Sequence, residues 1–374
     1  MVTRFYKLCL VTTLLQASLA VTPRPAAAQN LSPTAHALQQ CTSHSSSQIC
    51  LQTIALAHHA GNFSWYVASV NGTGDPHAAL IVVHGYPHDA RYSLEAGIAA
   101  IKAARITTPT LVIAPIFQAQ KGAHCQKPGE VSAKPGDARW SCGGWMSGEV
   151  SLGSPPGISS FHAMDTLVRQ LHQQWPDLHA ITVAGFSAGG QFVQHYIGVA
   201  ALPPGGLNLR YLVASPGSWL YFDAQRPVAV LNNKPAADSQ CGPAGRYPAR
   251  CQITMTLPDA TVCPNYNSGK YGVARWPLAK SRAARIRYQQ ADISYMVGAQ
   301  DSGTGPGTAS KRLDKTCAAT LQGSYRLQRA QNYLAWEQAR LPSLHPETLS
   351  VVPGCAHDVG CVLPGFAARH PLLF

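Results

Sequence analysis

From position 63 onward, short β-branched and apolar runs alternate with segments of helical spacing. The runs 63–70, 79–83 and 110–116 read as strands and the stretch near 94–104 as a helix. After a break, the rhythm resumes with a helix over 160–175, a strand over 180–184, a helix over 188–199 and a strand over 210–213. It closes with a strand over 293–297, a long helix over 316–339 and a strand over 348–352. Alternation of this kind predicts a mostly parallel central sheet flanked by crossover helices, an α/β domain over residues 62–374. Two stretches rich in Gly, Pro and polar residues, about 117–158 and 217–283, interrupt it and read as insertions. The second is expected to cover part of the sheet's top edge rather than fold as a domain, and no internal repeat is present.

The N-terminus follows a different rule. Arg4 and Lys7 precede an apolar stretch over 8–20, and small residues before Ala20 and Ala28 suit a signal peptidase, so residues 1–28 read as a signal peptide with cleavage after 28 or after 20. An anchor helix is the rival reading, and the stretch is short for a membrane span. Residues 29–61 read as an N-terminal lead-in.

Composition sharpens this picture. Of 374 residues, 46% are hydrophobic and only 12% charged, which excludes disorder, and no later apolar run approaches the roughly 20 residues that span a bilayer. Eleven cysteines include Cys9 in the signal, leaving an even set suited to an oxidising compartment. Their order favours Cys41–Cys50, Cys125–Cys142, Cys241–Cys251 and Cys355–Cys361, with Cys263 left for Cys317, although order alone leaves other connectivities open. No CxxC pair occurs, so a zinc site is disfavoured and no metal is expected. The formal charge of +12 includes Arg4, Lys7 and Arg24. Bases are spread without clusters, which argues against a nucleic-acid partner and allows only weak attraction to anionic surfaces. Sequons stand at Asn62 and Asn71.

The sharpest motif is Gly185-Phe186-Ser187-Ala188-Gly189, entered from a β-branched run and left into a helical pattern. A strained strand-to-helix turn of this type lifts a serine hydroxyl above the sheet and needs glycine where neighbouring backbone crowds in. A helix N-terminus just beyond Ser187 also aims amides at developing negative charge. Serine is a weak nucleophile without a positioned base. His357 lies on the loop after the last predicted strand, flanked by Cys355 and Cys361, whereas His195, His345 and His370 have no comparable setting. Asp301 follows the strand over 293–297 and can orient the base; Asp223 and Asp358 are the competing acids, the latter awkwardly adjacent to His357.

Over about 63–362 the chain resembles the α/β-hydrolase family. Its order of Ser, acid and His matches, and Val83-His84-Gly85-Tyr86 resembles the oxyanion-hole loop after the third strand. The resemblance implies Ser187 as nucleophile, His357 as base, Asp301 as its partner, and the backbone N–H groups of Tyr86 and Ala188 as oxyanion donors. His84 reads as a structural residue of that loop. Trp145, Trp219 and Tyr221 lie in loops near the expected site and are candidates for lining an acyl or aromatic pocket, with packing as the competing role.

The expected function is that of an exported serine esterase, extracellular or periplasmic, acting on a small or polymeric ester without cofactor. The same triad also serves amides and acylated or polyester polymers. A binding protein on a hydrolase scaffold is the non-catalytic alternative.

Overall fold

The computed structural model describes residues 49–372 except 73, 121–123, 127–129, 154–155, 243–246 and 342–347. The signal segment 1–28, Cys41 of the Cys41–Cys50 pair, and His345 lie outside the described residues. Strands form where the apolar runs lie: β1 (Cys50–Ala55), β2 (Asn62–Val70), β3 (Ala78–Val83), β4 (Thr110–Ile116), β5 (Ala180–Phe186), β6 (Asn208–Ala214), β10 (Asp292–Gly298) and β11 (Thr348–Val352). They make one eight-stranded sheet in the order β1-β2-β4-β3-β5-β6-β10-β11. The six strands from β4 to β11 run parallel, while β2 is antiparallel to β4, and β1 to β2. The sheet therefore starts at Cys50, earlier than the sequence pattern indicates, because β1 is an edge strand with only part of its side chains buried.

Buried parallel strands are apolar on both faces. In β3, Ala79, Ile81 and Val83 enter one core and Leu80 and Val82 the other. The first core is covered by α2 (Ser160–Gln174), α3 (Ala188–Ile197), α4 (Leu278–Gln290) and α6 (Arg326–Arg340), through residues such as Met164, Phe192, Tyr288 and Tyr333. The second is covered by α1 (Ala90–Ala103) and α7 (Val359–Ala367), through Leu94, Ile101, Val362 and Phe366.

Three helical segments depart from the sequence expectation. The helix expected over 316–339 is two elements, α5 (Cys317–Thr320) and α6. Gly323 adopts φ +134° between them, and its carbonyl accepts from Arg329 Nε at 2.9 Å, which ends the first turn and starts a new axis. Helix α4 begins inside the stretch expected to be irregular; only Ala284 and Tyr288, four apart, are buried, so its apolar stripe is too thin to read. Helix α7 contains Pro364, yet Asp358 caps it through Gly360 N–H at 3.1 Å and its apolar face is fully used.

The insertion over 217–283 carries a small antiparallel sheet, β8-β7-β9, formed by β7 (Arg226–Leu231), β8 (Lys234–Pro235) and β9 (Gln252–Thr256). Cysteine pairs staple the excursions: Cys125–Cys142, Cys241–Cys251, Cys263–Cys317 and Cys355–Cys361 have Cα separations of 5.8, 5.0, 5.9 and 5.6 Å. Among the described residues no helix is long and apolar enough to cross a membrane.

One buried carboxylate ties α2 to the end of α3. Asp165 accepts from Tyr196 Oη at 2.7 Å and from Ala201 N–H at 3.0 Å. Asp165→Ala strands both donors and is expected to lower stability by about 3 kcal/mol in urea unfolding followed by circular dichroism.

Candidate active site

The site lies beyond the carboxyl ends of β3, β5, β10 and β11, where open α/β sheets place their ligands. At the end of β5, Ser187 takes φ 58° and ψ −114°, a conformation L-residues rarely adopt, before α3 begins. The turn leaves no room: a Cβ on Gly185 would run into the carbonyl of Gly189, and one on Gly189 into those of Val83 and His84. Ser187 N–H reaches across to Ala214 O on the neighbouring strand at 2.9 Å, which fixes the turn against the sheet.

The loops after β10 and β11 are stitched together. Ala299 N–H bonds to Val352 O and Gln300 N–H to Cys355 O, each at 2.9 Å, and Gly298 has no room for a side chain against Cys355 and Ala356. His357 N–H then reaches Gly307 O at 2.9 Å. The result brings Asp301 and His357 side by side. His357 Nδ1 lies 2.7 Å from Asp301 Oδ2, and His357 Nε2 lies 2.8 Å from Ser187 Oγ.

Electrostatics act on this chain of bonds from behind. Arg326, at the start of α6, donates from Nη1 to Asp301 Oδ1 at 3.3 Å and to Thr308 O at 2.9 Å, and its side chain is only 3% exposed. Burial pushes the His357 pKa down, and the charge of Arg326 adds to that against the opposing pull of Asp301. The imidazole is therefore neutral, the form that accepts a proton, across the neutral pH range.

The rival acids are engaged elsewhere. Asp223 receives Trp336 Nε1 at 2.9 Å and Arg340 Nε at 3.0 Å, both from α6. Asp358 caps α7 and accepts from Tyr92 Oη at 2.6 Å. Among the other histidines, His195 is buried between Met146 O and Lys270 O, both at 3.2 Å, and His370 contacts Ser350 Oγ. His84 accepts from Phe117 N–H at its Nε2 and donates from Nδ1 to Gly85 O at 2.8 Å, a loop-shaping role, with burial pushing its pKa down to about 4.

A cavity of about 280 Å³ opens on Ser187 and His357, and both Tyr86 and Ala188 line it. The Ala188 N–H belongs to the first turn of α3, whose amides have no partner inside the helix. Trp145, Trp219 and Tyr221 do not line it, contrary to the sequence expectation. Trp145 stacks on Phe117 at 5.2 Å, Trp219 on Tyr333 at 4.3 Å, and Tyr221 packs beneath the Arg226 guanidinium at 4.1 Å, all three fully buried. Large aromatic faces in these loops are satisfied in the core first. The walls are instead made by residues with no sequence signature, among them Met146, Gln191, Lys270, Arg312 and Asp314.

No protein-family model matches the sequence, and no curated protein matches it. Solved structures do. Poly(aspartic acid) hydrolase-1 from Sphingomonas sp. KT-1 superposes with a TM-score of 0.54 at 17% identity, covering 85% of this chain and 97% of that one. A poly(3-hydroxybutyrate) depolymerase from Bordetella parapertussis gives a TM-score of 0.53 at 17% identity, covering 88% and 91%. The chain has the α/β-hydrolase fold. At this site, a buried arginine held against the carboxylate that faces His357 bears on titration.

In an NMR titration the His357 ring is expected to change protonation below the ordinary histidine value near 6.5. Arg326→Gln removes a positive charge that disfavours imidazolium, so the midpoint moves to higher pH; a midpoint unmoved or lowered contradicts the assignment.

Proposed function

We propose that this α/β-hydrolase is an exported serine esterase that cleaves carboxylic esters by way of an acyl-enzyme. The observation that carries the reading is the continuous hydrogen-bonded series from Asp301 through His357 to Ser187, at 2.7 and 2.8 Å, opening on a cavity. His357 Nε2 takes the hydroxyl proton as Ser187 Oγ attacks the ester carbonyl. The Tyr86 and Ala188 N–H groups receive the oxyanion, a contribution worth about 3 kcal/mol per donor. His357 returns the proton to the departing alcohol, and a water activated by the same imidazole releases the acid. Asp301 keeps the Nδ1 proton in place and stabilises the imidazolium. No cofactor enters this chemistry.

Export rests on the N-terminal pattern and on stapling by cysteine pairs, which persist in oxidising compartments. A polymeric substrate is the second reading. The two similar folds above carry names of polymer-cleaving enzymes, and both loop insertions border the cavity, where they shape what can enter.

Ser187→Ala is expected to abolish turnover of p-nitrophenyl butyrate and labelling by a fluorophosphonate probe; turnover that survives rejects the nucleophile. Asp301→Asn is expected to lower kcat by about ten-thousandfold through loss of the correct imidazole tautomer, whereas Asp223→Asn keeps kcat within a few-fold. Steady-state kinetics on the two variants decide between the acids.

A further inference from the structure

His195 lies about two turns along α3 from Ser187 and is 4% exposed. Its two ring nitrogens face two carbonyl oxygens, Nδ1 that of Met146 and Nε2 that of Lys270, both at 3.2 Å. The carbonyls come from different insertions: Met146 from the turn Gly144–Ser147, Lys270 from the turn Gly269–Tyr271. Both residues line the cavity beside Ser187. One imidazole on the nucleophile helix therefore stands between two segments that wall the site, and the series from Asp301 to Ser187 makes no use of it.

A carbonyl only accepts, so each contact needs an N–H from the ring. Neutral imidazole carries one N–H and imidazolium two. The neutral ring therefore holds one wall and turns a bare nitrogen to the other, while the protonated ring holds both. Burial pushes the His195 pKa down to about 4, with the charge of Lys270 acting in the same direction and the two carbonyls opposing. The ring is therefore neutral at neutral pH and gains its second proton as pH falls below 6.5 toward about 4. The ionisable groups around α3 are engaged elsewhere. The turn Gly144–Ser147 brings none. Lys270 and Tyr271 are both bound to Asp314, each at 2.6 Å. Helix α4 brings Arg287, which donates to Gly198 O at 3.4 Å, and Tyr288, which accepts from Gln194. Helix α2 brings Asp165, which accepts from Tyr196, and β6 brings Tyr211 against the Tyr196 ring. Among the described residues no carboxylate lies within ion-pair distance of His195.

We propose that His195 is a positioning residue that sets the spacing of the two walls, drawing in one when neutral and both when protonated, and so limits the size of the ester accepted at Ser187. This deepens the esterase reading and rests on it. Small differences in wall position suffice, since one methylene that fits or fails to fit changes kcat/KM by about ten- to two-hundredfold. His195 acts through Met146 and Lys270 and not on the reacting atoms, so its effect falls on KM for large esters.

Two matched pairs test this: p-nitrophenyl acetate against the hexanoate for the acyl side, and ethyl acetate against hexyl acetate for the alcohol side, with the released acid measured by chromatography. The quantity read is the large-to-small ratio of kcat/KM. Titration of His357 cancels in that ratio, because kcat/KM for both esters reports the same free enzyme. At neutral pH, His195→Phe keeps a ring but removes both bonds; it is expected to raise the ratio about fivefold in at least one pair, through KM of the large ester rather than kcat. In the natural chain the ratio in that pair is expected to fall by about half as pH drops to about 4, and to stay level in His195→Gln, whose amide does not titrate. Ratios in both pairs that are the same in the natural chain and His195→Phe overturn the positioning role, and turnover leaves the esterase reading intact. A natural-chain ratio that follows that of His195→Gln down to about pH 4 does the same. Should His195→Phe not fold, the natural chain and His195→Gln decide alone. Absence of turnover on all four esters, together with no fluorophosphonate labelling, overturns the esterase reading and the positioning role with it.

Discussion

Between Gly185 and Gly189 the chain must turn from strand into helix in a space that admits no side chain on either glycine. The carbonyls of Val83, His84 and Gly189 occupy that space, so the turn closes only with bare backbone at both ends. Ser187 is held at positive φ in the middle, and the strain is sustained by what surrounds it: β6 accepts its N–H, and α3 packs its whole first turn against the sheet. Everything else at the site is arranged around this fixed hydroxyl. The sheet order puts β5 between β3 and β6, so the loop after β3 and the turn after β5 are neighbours by register, with Val83 opposite Gly185.

The other half of the site is set by loops rather than by strands. Asp301 and His357 are separated by 56 residues, and they meet because β10 and β11 pair in parallel and their exits are sewn together by backbone bonds. Two buried arginines then order irregular chain, including the segments that bring Gly217, Lys270 and Asp314 to the cavity. Arg329 gathers the carbonyls of Gly217, Gly323 and Asp314, and Arg226, over the Tyr221 ring, gathers those of Asp223, Gln225, Tyr266 and Tyr271. Among the described residues neither forms an ion pair with a carboxylate; each uses several carbonyl dipoles to carry a desolvated charge. That gives otherwise loose segments a fixed shape, because a planar guanidinium satisfies its donors only when every loop is in place.

Legibility followed this division. The parallel strands were readable because burial on both faces forces continuous apolar runs, and β4 begins and ends as its run does. The elbow was readable because steric exclusion at two positions leaves glycine as the local solution. Positions 301 and 357 were readable from their place after a strand, a matter of chain order. Helix α4 was not, since two buried residues make no stripe, nor was the break at Gly323, whose carbonyl accepts from a buried arginine six residues away. The aromatic candidates failed for a related reason. Trp145, Trp219 and Tyr221 sit in the right loops, yet a loop position does not say whether a ring turns outward to a ligand or inward to Phe117 or Tyr333.

The cavity wall is the least legible layer because it depends on which partners neighbouring loops supply rather than on residue types. Gln191 is one of many glutamines in the sequence, and nothing in its local pattern separates it from the rest. Its place in the wall depends on Ser218, whose hydroxyl donates to the amide oxygen at 2.8 Å. The same holds for Arg326, whose place is fixed by Asp301 and the Thr308 carbonyl. The shape of this cavity is therefore set by contacts between loops that no local pattern announces, while the Ser187, His357 and Asp301 series is set by strand order and by the bonds between two loop exits.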